Sequence, residues 1–488
     1  MNTTMQNSTY GMNPGSTVDP YLNISQEDVL KSLALTGGTG TTDAGPMVGE
    51  SLAELVLMLT LSQQNNLPKY RRFYAYKAFA HIEQYNAVNS LGKAKFSRRA
   101  EADLGPQDST SYTRYTDEMV YMGQTGAVTD AAQEASRPKF GDLKAREVVN
   151  RTTKLLLDIE RGIWWDNQTL NPLAMNGLMA RFLTDAVHYK DMAVTGTAGS
   201  RTTYTAGGAL TISTVRNQMD AGINFGGIPT ALYLSPKEKI TLSEEEDSRV
   251  RWYKEKGVSR VAAGLIVDSI ENPFGQPTDL VWDVFLNEQG ELSPTPRDPS
   301  DATLFHADAP AILGTAPTGA AAAGSSLPND VYYYGVSCVG DVDEGPIKLQ
   351  ASGYTADNTN GKVNITVTHP AHLASVRSYR LYRSTTSGAS YATMRLVSET
   401  AVASSAVVGG TQVIADDGLI IPGSRRSVLM DETVTALPEL ISPYMYDLAK
   451  IDPTHRFHVE AAVQMSLRDA GKRQFLWKNI GGSVADPA

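Results

Sequence analysis

Residues 457–468 read FHVEAAVQMSLR, and in that run Phe457, Val459, Ala461, Val463, Met465 and Leu467 alternate with His458, Glu460, Gln464, Ser466 and Arg468. Alternation over that length puts every second side chain on one face, the pattern of a long half-buried β-strand. Such a strand needs a sheet and a core to lie on, yet the block before it is of another kind. VYYYGVSCV from Val331, then Val363-Ile365-Val367 and Tyr379-Leu381, are short alternating runs divided by polar turn clusters at 341–346, 357–361, 384–388 and 416–418. That spacing predicts a small antiparallel sandwich. Upstream, residues 46–310 mix helical and strand periods. The chain therefore leaves a mixed α+β body, builds an all-β block over 311–430, and returns to the body over 431–488. Its 488 residues suffice for more than one core.

Within the body the signals are uneven. Residues 1–45, rich in Asn, Thr, Ser and Gly, bury too little apolar area to fold alone and read as an extended arm. Leu52, Leu55, Val56 and Leu59 predict a helix over 51–64. Residues 92–134 carry Lys93, Lys95, Arg98 and Arg99, a Gly105-Pro106 turn, then Tyr112, Tyr115, Met119 and Tyr121, with few large aliphatics. They read as an extended hairpin that projects from the body and needs a partner surface. The strongest helix spans 140–166, with Asp142 as N-cap and an apolar stripe of Leu143, Val148, Thr152, Leu155, Leu156, Ile159 and Ile163. Trp164 and Trp165 at its end read as packing residues. A second helix is expected over 211–224, closed by Gly226-Gly227. A strand at 230–234 then meets Ser235-Pro236-Lys237-Glu238, a capping box with Pro at the first helical position. Further strands are expected at 264–270, 280–286 and 475–480, and a Pro/Ala/Gly linker over 293–326.

Little of the chain points to chemistry. The nucleophile elbow and the phosphate-binding loop are absent, and Gly37-Gly38-Thr39-Gly40 lacks the preceding strand and third glycine of a dinucleotide site. The single cysteine, Cys338, allows neither an internal disulfide nor a cysteine zinc site, which suits a reducing cytoplasm. His369 with His372, and His455 with His458, lack the spacing of a metal motif, and the acidic turn Asp341, Asp343, Glu344 lacks a calcium loop's terminal ligand. No catalytic residue, cofactor or metal is expected. The N-terminus, MNTTMQNSTYGMNPGST, lacks the basic and apolar regions of a secretory signal, and no membrane span is foreseen. A net charge of −10 does not suit a general DNA binder. The cluster Lys93, Lys95, Arg98, Arg99 could meet phosphate. Nearby Asp108, Asp117, Glu118 and Asp130 make the chain self-complementary, so subunit contact through Lys93, Lys95, Arg98, Arg99, Asp117 and Glu118 is the favoured reading.

The order of these parts resembles the major capsid proteins of tailed bacteriophages, the Johnson fold. The resemblance is carried by the polar arm, the hairpin with Lys93 to Arg99, the helix KFGDLKAREVVNRTTKLLLDIERGIWWDNQ, the unit IPTALYLSPKEKI, and the closing FHVEAAVQMSL with FLWKNIGG. It implies an N-arm (1–45), a capsid core (46–310 and 431–488), an E-loop (92–134), a spine helix (140–166), and axial and peripheral domains. PNDVYYYGVSCVGDVDEGP and SVRSYRLYRSTTSGASY resemble immunoglobulin or fibronectin type III modules, in permuted order. The resemblance implies a non-enzymatic subunit that assembles in the host cytoplasm into hexamers and pentamers of an icosahedral virion shell around double-stranded DNA. Portal, scaffolding and cement proteins would be partners, DNA only a non-specific one, and an outward immunoglobulin-like domain could take a host glycan. Some such proteins crosslink through a hairpin lysine; Lys93 and Lys95 are of that type, but no motif supplies a partner and crosslinking is not expected. The competing reading is a phage tail or surface adhesin that binds carbohydrate through the sandwich.

Overall fold

A computed structural model describes residues 72–482, less 94–95, 97, 100, 102–103, 105–106, 141, 200, 224–226, 248–266, 273–274, 287–295, 301–310, 313–317, 321–326, 351, 358–360, 386–390 and 451. The arm, the helix expected at 51–64, Lys95, the Gly105-Pro106 turn and most of the 293–326 linker lie outside the described residues. The architecture is mixed α+β.

The long helix runs Leu143–Trp165, and Asp142 caps it by accepting the Ala145 N–H at 3.1 Å. Its buried stripe, Leu155, Ile159, Ile163 and Trp164, lies against a sheet ordered Tyr74–Lys77, Thr435–Asp447, Thr454–Val463, Val120–Thr129. Phe457, Val459, Ala461 and Val463 complete this core from the opposite side. Each such Leu, Ile, Val or Phe side chain contributes about 1.5–3 kcal/mol by leaving water. The strand foreseen as continuous through Leu467 stops at Val463, and Ser466–Leu467 pairs separately with Thr435 and Ala436. Pro438 is the cause. Its carbonyl accepts the Gln464 N–H at 3.2 Å, but it has no N–H to return, so the ladder ends there.

A second sheet is ordered Tyr189–Asp191, Phe475–Ile480, Arg425–Met430, Ala231–Leu234, Pro277–Trp282, Ser269–Glu271. Period two divides its residues between two cores. Ala231, Tyr233, Val428 and Met430 face the long helix. Leu232, Leu234, Leu429, Phe475 and Trp477 face the helix Ile212–Ile223 and Leu242 of the helix Pro236–Asp247. Ser235 caps the latter by accepting the Glu238 N–H at 3.3 Å. The Glu238 carboxylate instead meets Arg425 at 2.7 Å, so a tertiary ion pair replaces the second half of the expected capping box. The strand read at 280–286 ends at Trp282, because buried Asp283 accepts the Phe285 N–H and turns the chain into a 3-10 turn, Val284–Leu286. The strand read at 264–270 appears as Ser269–Glu271.

The hairpin is displaced from its expected limits. Its strands are Ile82–Ser90 and Ser111–Glu118, paired antiparallel, whereas Val120–Thr129 belongs to the body sheet and Asp130–Phe140 is helical. The all-β block has one sheet of Lys362–Thr368 with Thr411–Asp416, Ala311–Ile312 and Thr318–Ala320. Its other sheet is Val331–Gly340 with Val376–Ser384, Lys348–Leu349 and Tyr354–Thr355, extended by Arg395–Ala401. Tyr332, Tyr334, Val336 and Cys338 from one sheet and Val363, Ile365, Val367 and Ile414 from the other share one core.

Candidate assembly surfaces

The hairpin is a ribbon whose two faces are mostly exposed, so its own packing cannot fix its direction. Cross-strand pairs hold the ribbon together: Tyr85 lies opposite Tyr115 and stacks on it at 5.4 Å. The base fixes the direction. Tyr85 donates its hydroxyl to the Leu467 carbonyl at 2.7 Å, and burial, with Asp117 nearby, pushes that hydroxyl up to about 12. Asp117 meets Arg181 at 2.7 Å, with side chains only 4% and 12% exposed. Arg468 stands 5.0 Å over the Tyr76 ring, and Tyr76 donates to Glu83 at 2.9 Å.

The candidate contact residues therefore divide. Lys93, Arg98 and Arg99 are exposed at the far end, with Arg98 5.0 Å over the Phe96 ring. Leu91, Phe96 and Leu104 are exposed beside them. Glu118 sits at the base, exposed, and meets His81 at 3.0 Å. Asp117 is withdrawn from the surface altogether. Sequence reasoning overlooked Arg181, Tyr85 and Leu467 as the groups that set the hairpin. No local motif marks them, since Leu467 is 382 residues from Tyr85.

A second polar assembly lies where the all-β block meets the long helix. Glu344 accepts from Ser337 and Tyr382, each at 2.5 Å, and from Arg380 at 2.7 Å. Arg377 grips Asp341 through two bonds of 2.8 Å, and Arg297 meets Asp343 at 2.5 Å. The acidic turn 341–344 is thus clamped by three arginines, with Val342 left exposed at its tip. Glu399 accepts from Ser378 at 2.5 Å and from Arg380 at 3.0 Å. Its burial works to raise its carboxyl, but Arg380, Ser378 and then Arg161 of the long helix outweigh that and hold it below the usual carboxylate range. Among the described residues no group of three metal-ligating side chains occurs, and no helix is long and apolar enough to cross a membrane. His369 is buried against Tyr379, with Nδ1 2.6 Å from the hydroxyl, and His455 meets Asp130 at 3.0 Å.

No curated protein matches the sequence. Among solved structures, the capsid of a native GTA particle aligns at TM-score 0.42 and 9% identity, over 92% of this chain and 100% of that one. The cyanophage A-1(L) capsid aligns at 0.42 and 10%, over 91% and 99%. Mycobacterium phage Bobi aligns at 0.38 and 8%, over 92% and 96%. The sequence itself matches the SU10 major capsid protein family over residues 3–308, most of the chain, and it is on this match that the chain belongs to that family.

Proposed function

We propose that this chain is the shell-forming subunit of a tailed phage, copies of which close into the hexamers and pentamers of an icosahedral shell around a double-stranded DNA genome. In this reading residues 1–45 are an arm, 46–310 and 431–488 form the shell body, and the hairpin laps onto a neighbouring copy. Residues 311–430 are an immunoglobulin-like domain on the outside. The two facing sheets and their shared core support that last assignment.

The observation that carries the proposal is the hairpin. A ribbon with exposed faces is costly to hold rigid in water, yet its base is fixed by a buried ion pair and its far end presents Lys93, Arg98, Leu91 and Phe96 to solvent. That arrangement suits a surface completed by another subunit. Other copies are the principal partner in this reading. Portal, scaffolding and cement proteins follow, DNA is touched without sequence preference, and a host glycan is the ligand class for the outer domain.

The test is size. The chain is expressed alone in bacteria, its lysate is fractionated by size exclusion, and the void fraction is imaged in negative stain. Closed shells, tubes or rings are expected. A monomer or trimer that stays so at high concentration, with crowding agent or a candidate scaffold, sinks the proposal.

A further inference from the structure

The alternation that sends Phe457 and Val459 towards the long helix turns His458 and Glu460 to the opposite face of the body sheet. Strand pairing sets Tyr446 beside His458 and Tyr444 beside Glu460 on one side, with Thr125 and Gly123 on the other. We infer that this face holds a binding site for a small organic ammonium ion, formed by Glu460 with the rings of Tyr444, Tyr446 and His458. The site lies within one chain and is independent of the shell reading.

Glu460 supplies the charge. It accepts the Tyr444 hydroxyl at 2.6 Å through one oxygen and the Tyr446 hydroxyl at 3.4 Å through the other. Two phenols thus fix the carboxylate and leave lone pairs on both oxygens for further donors. Asp117, Asp416 and Glu238 each meet an arginine. Among the described residues neither lysine nor arginine pairs with Glu460, whose basic neighbour is the His458 ring, with Nε2 at 3.8 Å. The Glu460 side chain is 28% exposed, so a cation from solvent can reach it. The chain's net charge of −10 adds a general attraction for such ions.

The rings supply selectivity. Tyr444 and Tyr446 stack at 5.6 Å, and Tyr446 meets the His458 ring edge-on at 5.5 Å. They stand too close to admit a group between them. Both tyrosines are nonetheless well exposed, so their outer faces are open beside the carboxylate. A π-face attracts a cation, and π-faces next to a carboxylate favour a bulky ammonium over sodium, which keeps its water.

The arrangement is set before anything binds. His458 Nδ1 lies 2.9 Å from the Thr125 hydroxyl, which fixes the ring across Gly123. A Cβ at Gly123 would stand 2.6 Å from His458 Nε2, so glycine at this position leaves the ring its place. Little ordering cost then remains for the ligand to meet.

The test is saturation-transfer NMR on the purified full chain near neutral pH, with tetramethylammonium and spermidine as probes and ionic strength held constant with sodium chloride. Both probes should bind with a Kd on the order of 1 mM. Glu460→Gln should weaken both by roughly tenfold, and so should Tyr444→Leu/Tyr446→Leu. Tyr444→Phe/Tyr446→Phe keeps the π-faces and should stay within about threefold of the unsubstituted chain. All three positions are partly exposed on an outer sheet face, so none of these changes opens a core. Absence of transfer to either probe from the unsubstituted chain overturns the site, whatever the variants do. A Leu pair that binds as tightly as the unsubstituted chain, or Phe and Leu pairs that lose equally, also overturns it, because the rings then contribute nothing. Each of these failures leaves the shell reading standing.

Discussion

Asp117 Oδ1 and the Arg181 guanidinium stand 2.7 Å apart at the root of the hairpin, both almost wholly out of water. Removing one partner of such a pair strands the other charge, a loss of about 3–5 kcal/mol for a fully buried pair. Asp117→Ala is therefore expected to loosen the hairpin before anything else. Hydrogen exchange should quicken across Ile82–Ser90 and Ser111–Glu118 while the long helix keeps its protection. The double variant Asp117→Ala/Arg181→Ala should cost less than the two single changes added together. Unchanged exchange in the hairpin would remove the pair from its setting role.

This pair also marks the limit of what the sequence discloses. The long helix was legible because its stripe repeats every three to four residues and its cap is local: Asp142 binds Ala145. The all-β block was legible because alternation and turns are local too. The hairpin limits were not, since Val120–Thr129 differs from its neighbours only in pairing with Thr454–Val463, over 300 residues away. Asp117 looked like one more surface acid for the same reason. Nothing near it in sequence announces that Arg181 will cover it. The break at Gln464 was missed because its cause, Pro438, lies on the partner strand.

In the all-β block Arg383 meets Asp416 at 2.6 Å, with neither side chain more than 1% exposed, and Tyr334 donates to the same carboxylate at 3.0 Å. Arg383→Met leaves that carboxylate buried without its cation, and the expected loss is again about 3–5 kcal/mol. Cys338, the chain's one thiol, is buried in this block's core and reports its opening directly. Labelling of Cys338 by a thiol reagent should accelerate on the order of a hundredfold or more where opening is a pre-equilibrium. An unaltered labelling rate would place the pair outside the block's cooperative unit.

The Trp164 indole donates to Asp283 at 2.9 Å inside the main core, beside Phe73 and Tyr233. Asp283→Ala orphans that buried N–H and removes the acceptor that ends the preceding strand, at a cost of about 1–3 kcal/mol. Urea unfolding followed by tryptophan fluorescence measures it. Trp164→Phe in the Asp283→Ala background should add less than it costs alone, because the orphaned donor goes with the indole. Equal costs in both backgrounds would show that the bond contributes nothing.

Glu399 makes the junction between the all-β block and the long helix acid-sensitive. Its carboxyl is held below the usual range in spite of burial, by Arg380, Ser378 and Arg161. A depressed carboxylate contributes stability that is fully present above its unfolded pKa, about 4.3, and disappears as pH falls through the lower folded value. Glu399→Gln removes this contribution, so near pH 7 the variant should be less stable by about 1.5–3 kcal/mol, the range for a hydrogen bond to a charged group. As pH drops below about 4 the native chain loses the same contribution by protonation. Melting temperatures of the two proteins, measured at half-unit steps from pH 7 to 3, should therefore converge at the acid end. Other carboxylates titrate in that window in both proteins and cancel in the difference. Parallel curves down to pH 3 would mean that the ionised Glu399 does not hold the junction, and that the clamped turn 341–344 holds it instead.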